Sequence, residues 1–255
     1  MSEEKPIDPP WWAPASFALS FLTICPTPRI KVAPRVVSSS IAAFPVVGAL
    51  LGIILGLIGI LCERFLAPGP TAVIIIACGT FVTGGLHFDG LMDTADGVLG
   101  VRTVERRLEV MRDSRVGAFG VLAGVLALLG QYACLGTLAD LNLLEALAVA
   151  IGLSRWAMTV AIITFPPARP DGLGAMFHQD VPRKSFVFAT VVAIAIGFTL
   201  GPPGIIVVLG TGIATAACGW FFQSRLGGLT GDTYGAVAVI TETLVLYAFS
   251  AGLVA

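Results

Sequence analysis

The 255 residues are 56% hydrophobic and 12% charged, with a formal net charge of -1 and a mean hydropathy of +0.92. Soluble domains carry about a quarter charged residues, so this composition excludes an ordinary water-soluble domain, and the absence of a polybasic tract excludes a nucleic-acid footprint. The cysteines, Cys25, Cys62, Cys78, Cys134 and Cys218, are scattered and form no CxxC pair, so they read as small apolar packing residues rather than a redox or zinc site.

The chain opens on an acidic, proline-rich stretch, MSEEKPIDPPWW. It lacks the basic start and short apolar core of a cleaved signal peptide and is expected to be retained. Residues 17–23 are apolar but too few to cross a bilayer, and Pro26 and Pro28 stop them. They read as an interfacial helix or re-entrant piece within a cytoplasmic arm over residues 1–40.

Crossing a ~30 Å hydrocarbon core takes about 20 helical residues, or slightly fewer with tilt and neighbours. Apolar runs at 41–62, 71–86, 118–139, 143–165, 185–200, 204–222 and 236–254 meet or approach this length, the second and fifth being short. The spacing predicts an all-α, polytopic integral membrane bundle of about seven transmembrane helices, forming one domain over 1–255. The chain has 30 glycines, many of them within these runs, where small residues let helices approach closely.

Lys and Arg in short loops set orientation. Lys5, Arg29, Lys31 and Arg35 precede the first run; Arg102, Arg106, Arg107, Arg112 and Arg115 follow the second; Arg169, Arg183, Lys184 and Arg225 fall in later alternate loops. Apart from Arg155, inside the fourth run, the other side offers only Arg64. The N-terminus and the basic loops are therefore expected on the cytoplasmic face of a bacterial inner membrane, with the C-terminus outside.

The most informative segment is GGLHFDGLMDTADG, residues 84–97, at the end of the second run. Asp89, Asp93 and Asp96 are spaced i, i+4 and i+7, which sets three carboxylates on one face of a helix. Like charges this close repel, and more strongly near lipid, so a cation should compensate. A lone aspartate would simply face water; three on one stripe point to a hard divalent ion such as Mg²⁺, one or two ions, completing its shell with water and phosphate.

Residues 101–120, VRTVERRLEVMRDSRVGAFG, are basic and amphipathic and complete a candidate active-site segment over 87–117. Asp113 is placed to turn back toward the stripe as a fourth carboxylate. Arg112 and Arg115 flank it, and arginine recognises phosphate through a planar fork of donors. Arg102, Arg106 and Arg107 read equally as topology signals meeting anionic lipid. His87, two residues before Asp89, reads as a general base, a ligand or a hydrogen-bonded core residue. His178 has no such company and is assigned no role.

Arg155, inside an apolar run, should meet an acid or a substrate phosphate. Residues 165–180, rich in Pro and Gly, form an expected cytoplasmic loop over the site, carrying Arg169 and Asp171. Asp232 lies in a glycine-rich turn that reads either as a phosphate-holding turn with Asp232 as a further metal or substrate contact, or equally as a plain turn, and Glu242 falls within the last run.

SFLTICPTP near the start, GGLHFDGLMDTADG, MRDSRVGAFG, SRW at 154–156, RPDGLGAMF, and GGLTGDTYGA followed by Glu242 run in one order over residues 20–242. In this the chain resembles the cobalamin synthase family, adenosylcobinamide-GDP ribazoletransferases. The resemblance implies Mg²⁺-dependent joining of adenosylcobinamide-GDP to alpha-ribazole or its 5′-phosphate, with release of GMP. Spacing and charge give a site for metal and phosphate, and the resemblance adds the corrinoid substrate; together they lead to the expectation of Asp89, Asp93, Asp96 and Asp113 at the metal, His87, Asp89 and Asp93 as catalytic, and Arg112, Arg115, Arg155, Arg169 and Asp232 toward phosphate. Membrane lipid is a further partner, and a homo-oligomer is left open. Two other readings of the acidic stripe are a CDP-alcohol phosphatidyltransferase-like enzyme, whose usual spacing of aspartates differs, and an ion-coupled transporter, whose acids usually lie nearer mid-membrane.

Overall fold

The structure, a computed structural model, describes residues 9–28 and 33–254. Its helices are α1 (Ala13–Leu22), α2 (Pro34–Ser40), α3 (Phe44–Glu63), α4 (Pro68–Val82), α5 (Leu86–Gly100), α6 (Val104–Val110), α7 (Ala118–Leu135), α8 (Asp140–Thr164), α9 (Leu173–His178), α10 (Arg183–Phe198), α11 (Pro202–Leu226) and α12 (Gly231–Ser250). Among the described residues there is no strand, only an isolated bridge between Pro167 and Leu229.

Five helical runs are long and apolar enough to cross a membrane: Pro34–Glu63, which joins α2 to α3, and then α7, α8, α11 and α12. α4 and α5 pass the same test only as a pair, and they are bent by 87° at their junction. The count is thus five, or six with the bent pair, where hydropathy alone suggested about seven. Both departures fall on the two short runs. α4 stops because Gly84 and Gly85 take left-handed backbone, φ 61° and 72°. α10 stops at 16 residues, a length of about 24 Å at 1.5 Å per residue, because Gly201 turns the chain with φ 65° and two prolines open the next helix.

α8 is the hub, with 83% of its most apolar window buried inside the protein, so it meets helices rather than lipid on almost every side. α3 lies against it along Gly48, Gly52 and Gly56. A Cβ at Gly52 would come within 2.3 Å of the Leu147 carbonyl oxygen, so only glycine permits this approach. The opposite side of α3 exposes Leu50, Ile54, Leu57 and Leu61, as a lipid-facing surface requires. Buried hydroxyls on the spans, such as Thr211, Thr215 and Thr241, donate to carbonyls one turn back at 2.7–2.8 Å, which leaves none of these hydroxyls unmatched toward lipid.

The N-terminal apolar piece folds as α1, which ends before Pro26 as its sequence indicates. Phe17 and Phe21 of α1 pack with Phe44 of α3 and Phe177 of α9, ring centroids 4.9–6.2 Å apart, and Ile24 N–H donates to the Val82 carbonyl at 2.8 Å. Trp11, just ahead of α1, is 91% exposed, which suits the membrane–water boundary. Lys5, Arg29 and Lys31 of the orientation argument lie outside the described residues.

Candidate active site

Two local features build the site. At the end of α4, Gly84 and Gly85 donate back to Phe81 and Thr80 at 3.0 and 2.8 Å, closing one helix and starting α5 almost perpendicular to it. Across from α5, the chain before α12 pairs with the loop after α8: Leu229 N–H donates to Pro166 O at 2.8 Å, and Ala168 N–H to Leu229 O at 2.7 Å. This pairing holds Arg169 beside the first turn of α12. α12 in turn presses onto α5 at Gly90, where a Cβ would lie 2.7 Å from the Asp232 carbonyl oxygen.

Between these parts lies a cavity of about 260 Å³, bounded by Phe21 of α1, His87 and Asp89 of α5, Arg169 and Asp171 of the loop, and Asp232 of α12. The α12 N-terminus at its wall carries a capping box: Thr230 Oγ1 accepts from Thr233 N–H at 3.3 Å and Thr233 Oγ1 from Thr230 N–H at 2.8 Å. The partial positive charge of that helix end favours an anion. Arg169 donates from one terminal nitrogen to Leu108 O at 2.6 Å, while its buried Nε has no partner among the described residues. Burial, and then the neighbouring charge of Arg112, draws the Arg169 pKa below the ordinary arginine value, and an anion in the cavity would reverse that.

Facing this positive side are carboxylates. Asp89 is exposed and Asp93 half-buried, neither makes a side-chain hydrogen bond to any described residue, and Asp93 lies near enough to feel Asp89, Asp232 and Asp96. His87 is 3% exposed with neither ring nitrogen bonded to a described protein group.

The remaining expected residues fall elsewhere. Asp96, on the same helix as Asp89, accepts Gly117 N–H at 2.7 Å and Gly120 N–H at 2.8 Å, capping α7 from outside. Asp113 was expected to turn back toward the stripe; instead Arg115 takes its carboxylate, the shortest contact 2.6 Å, and these hydrogen bonds hold the Asp113 pKa at about 2. Arg112 reaches Asp171 at 3.3 Å, and so stands at the cavity rim. Arg155 meets an acid, as one branch of the expectation had it: Glu242 of α12, at 2.6 Å, away from the cavity.

Among the described residues no three His, Cys, Asp or Glu side chains gather closely enough to enclose a metal ion, so Asp89, Asp93, Asp96 and Asp113 do not form one ligand set. Mg²⁺ does not need one, because it takes one or two carboxylates and fills its shell with water and phosphate. Asp89 and Asp93, hard oxygen donors with mutual repulsion and no hydrogen bond to a described residue, fit that demand. Sequence reasoning set Asp171 in a loop over the site without giving it a role, and passed over Phe21 as a wall residue. It also left Glu242 without a role, although a lone acid in one apolar run and a lone base in another signal a pair.

The family model described as cobalamin-5-phosphate synthase matches residues 15–250. A protein of Roseiflexus sp. (strain RS-1), described as adenosylcobinamide-GDP ribazoletransferase, is 39% identical over 92% of this chain and 90% of its own length. Proteins of the same description from Desulforamulus reducens and Klebsiella pneumoniae subsp. pneumoniae are 39% and 35% identical, over 90% and 91% of this chain and 93% and 96% of theirs. That description is neither a CDP-alcohol phosphatidyltransferase nor a transporter. No solved structure matches the chain. A match that takes in α1 through α12, together with relatives this similar over nearly their whole length, means that the chain belongs to the cobalamin-5-phosphate synthase family, as a helical membrane transferase of cobalamin biosynthesis.

Proposed function

We propose that this chain joins adenosylcobinamide-GDP to alpha-ribazole or its 5′-phosphate and releases GMP, in the α5–α12 cavity, on the cytoplasmic side of a bacterial inner membrane. One observation carries the reading: a cavity with Arg169 and the α12 N-terminus on one wall and Asp89 on the other. That pairing suits a diphosphate, whose charge needs donors on one side and would be neutralised further by a metal held by carboxylates on the other.

Asp89 and Asp93 are the residues that would hold Mg²⁺, with Asp232 beside them. When bound, the ion supplies neutralisation of the diphosphate and of the charge developing on the leaving oxygen. Arg169 and the amides of the α12 N-terminus bind and orient the phosphates. The ribose hydroxyl of the acceptor attacks the phosphorus on the corrinoid side, the bond from that phosphorus to the bridging oxygen breaks, and GMP departs with the electron pair. The hydroxyl proton passes to His87 or to an aspartate carboxylate. Little covalent work falls to the protein, so orientation and charge carry the rate.

Purified enzyme in lipid vesicles, given adenosylcobinamide-GDP and alpha-ribazole, should release GMP. EDTA should abolish release and Mg²⁺ restore it; GMP release that persists in EDTA would remove the metal, and no release under any condition would remove the reaction.

A further inference from the structure

His87 forms a partition. One side of it faces the active-site cavity; the other faces a second, smaller chamber of about 40 Å³, whose polar walls are Thr80, Thr83, Gln131, Arg155 and Glu242. The residue is only 3% exposed, and neither ring nitrogen has a partner among the described residues. Buried polar groups in native proteins are nearly always bonded, to water where protein does not serve. A water needs roughly 10–15 Å³ of such space and two to four polar partners, so the chamber admits about three or four.

The ion pair at its far wall is well fixed. Arg155 donates from one terminal nitrogen to Glu242 Oε2 at 2.6 Å and to Ser154 Oγ at 2.7 Å. Glu242 Oε1 receives only a long contact, 3.4 Å from Gln131, so it has acceptor capacity left. A carboxylate can only accept. A water between Glu242 and His87 gives one hydrogen to Glu242 and meets the ring nitrogen on that side through its oxygen or its second hydrogen, which ties the ring to the fixed pair.

We propose that this chamber is a built water site through which the Arg155–Glu242 pair sets the orientation of His87. Glu242 and Arg155 are then positioning residues for the transfer reaction. This rests on the reading above, in which His87 takes the acceptor's proton.

Removing one partner of a buried ion pair strands the other, whereas replacing both by apolar groups is often neutral. The test is therefore the paired variant Arg155→Met with Glu242→Leu, in vesicles, alone and in a His87→Asn background. GMP release should show kcat lowered roughly tenfold or more, KM unchanged, and no further loss when the pair is changed in His87→Asn. Wild-type kcat in the paired variant, or an equal loss in both backgrounds, overturns the proposal, because a merely structural role acts whether or not the histidine is there. If the paired variant shows no cooperative melting, Gln131→Leu, which leaves the ion pair intact, decides by the same two-background comparison. Wild-type kcat in His87→Asn alone overturns the role of His87 and this proposal with it, while leaving the transfer reaction, read as GMP release, intact.

Discussion

Asp89 and Asp96 sit two turns apart on α5, and their surroundings assign them different work. Asp96 is buried and receives two backbone amides from the start of α7, so its charge complements donors that no helical carbonyl can meet. Asp89 is exposed and receives none from the described residues. Hydrogen bonds to a charged acceptor contribute about 1.5–3 kcal/mol each, and an unmet amide costs a comparable amount, so Asp96→Ala, which loses two of them, should destabilise the enzyme by about 3–6 kcal/mol, seen as a lower melting temperature. Asp89→Asn should leave melting within about 0.5 kcal/mol while GMP release falls by roughly 10². Equal melting of the two variants would contradict the division. Asp113 belongs with neither. The Arg115 guanidinium holds its carboxyl at about 2, so it is ionised throughout the neutral range and titrates only in strong acid. Asp113→Asn should leave the pH profile of GMP release unchanged between about pH 5 and 9, well above that pKa; a displaced profile would return Asp113 to the site.

The bend between α4 and α5 and the seat of α12 on α5 decide the shape of the cavity, and a glycine makes each one for a different physical reason. Gly85 has φ 72° and open space around an added Cβ, so Gly85→Ala costs only the left-handed conformation, about 1–2 kcal/mol. Gly90 has ordinary helical backbone but no room, and Gly90→Ala should force α12 away from α5. Gly85→Ala is thus expected to lower the melting temperature with KM for adenosylcobinamide-GDP intact, and Gly90→Ala to raise that KM, which steady-state kinetics would separate. These elements also mark the limit of what the sequence makes legible. Asp89, Asp93 and Asp96 on one helix face follow from spacing alone, and the spans follow from hydropathy. The 87° bend does not, because hydropathy averages over Gly84 and Gly85 without reading their dihedrals. Nor does the pairing of Pro166 and Ala168 with Leu229, which joins segments far apart in the chain and is what brings Arg169 and Asp232 to the same cavity. Asp113 was misplaced for a related reason: its nearest cation, two residues away, offered a closer partner than the stripe.

At the scale of the molecule, α8 fixes which features share a face. Its 25 residues extend about 37 Å, more than the ~30 Å hydrocarbon thickness, so its two ends belong to opposite surfaces. At its start, Asp140 N–H donates to Glu63 Oε2 at 3.0 Å, which sets Arg64 and the end of α3 there. At its finish, residues 166–171 pair with the approach to α12 and cover the cavity. The cationic loops collect at this second end, which by the positive-inside rule is the end proposed above to face the cytoplasm. Arg64→Cys and Asp171→Cys, each in a chain whose native cysteines are replaced by alanine, carry that geometry into an experiment. Both positions are exposed, and the ion pair that Asp171→Cys removes is a surface one of small value, about 0–1 kcal/mol. In sealed inside-out vesicles a membrane-impermeant maleimide should label the Asp171→Cys chain at once and the Arg64→Cys chain only after detergent, and right-side-out vesicles should reverse the order. Labelling of both from one side would mean that α8 does not cross the bilayer, and would overturn the cytoplasmic placement proposed for the cavity.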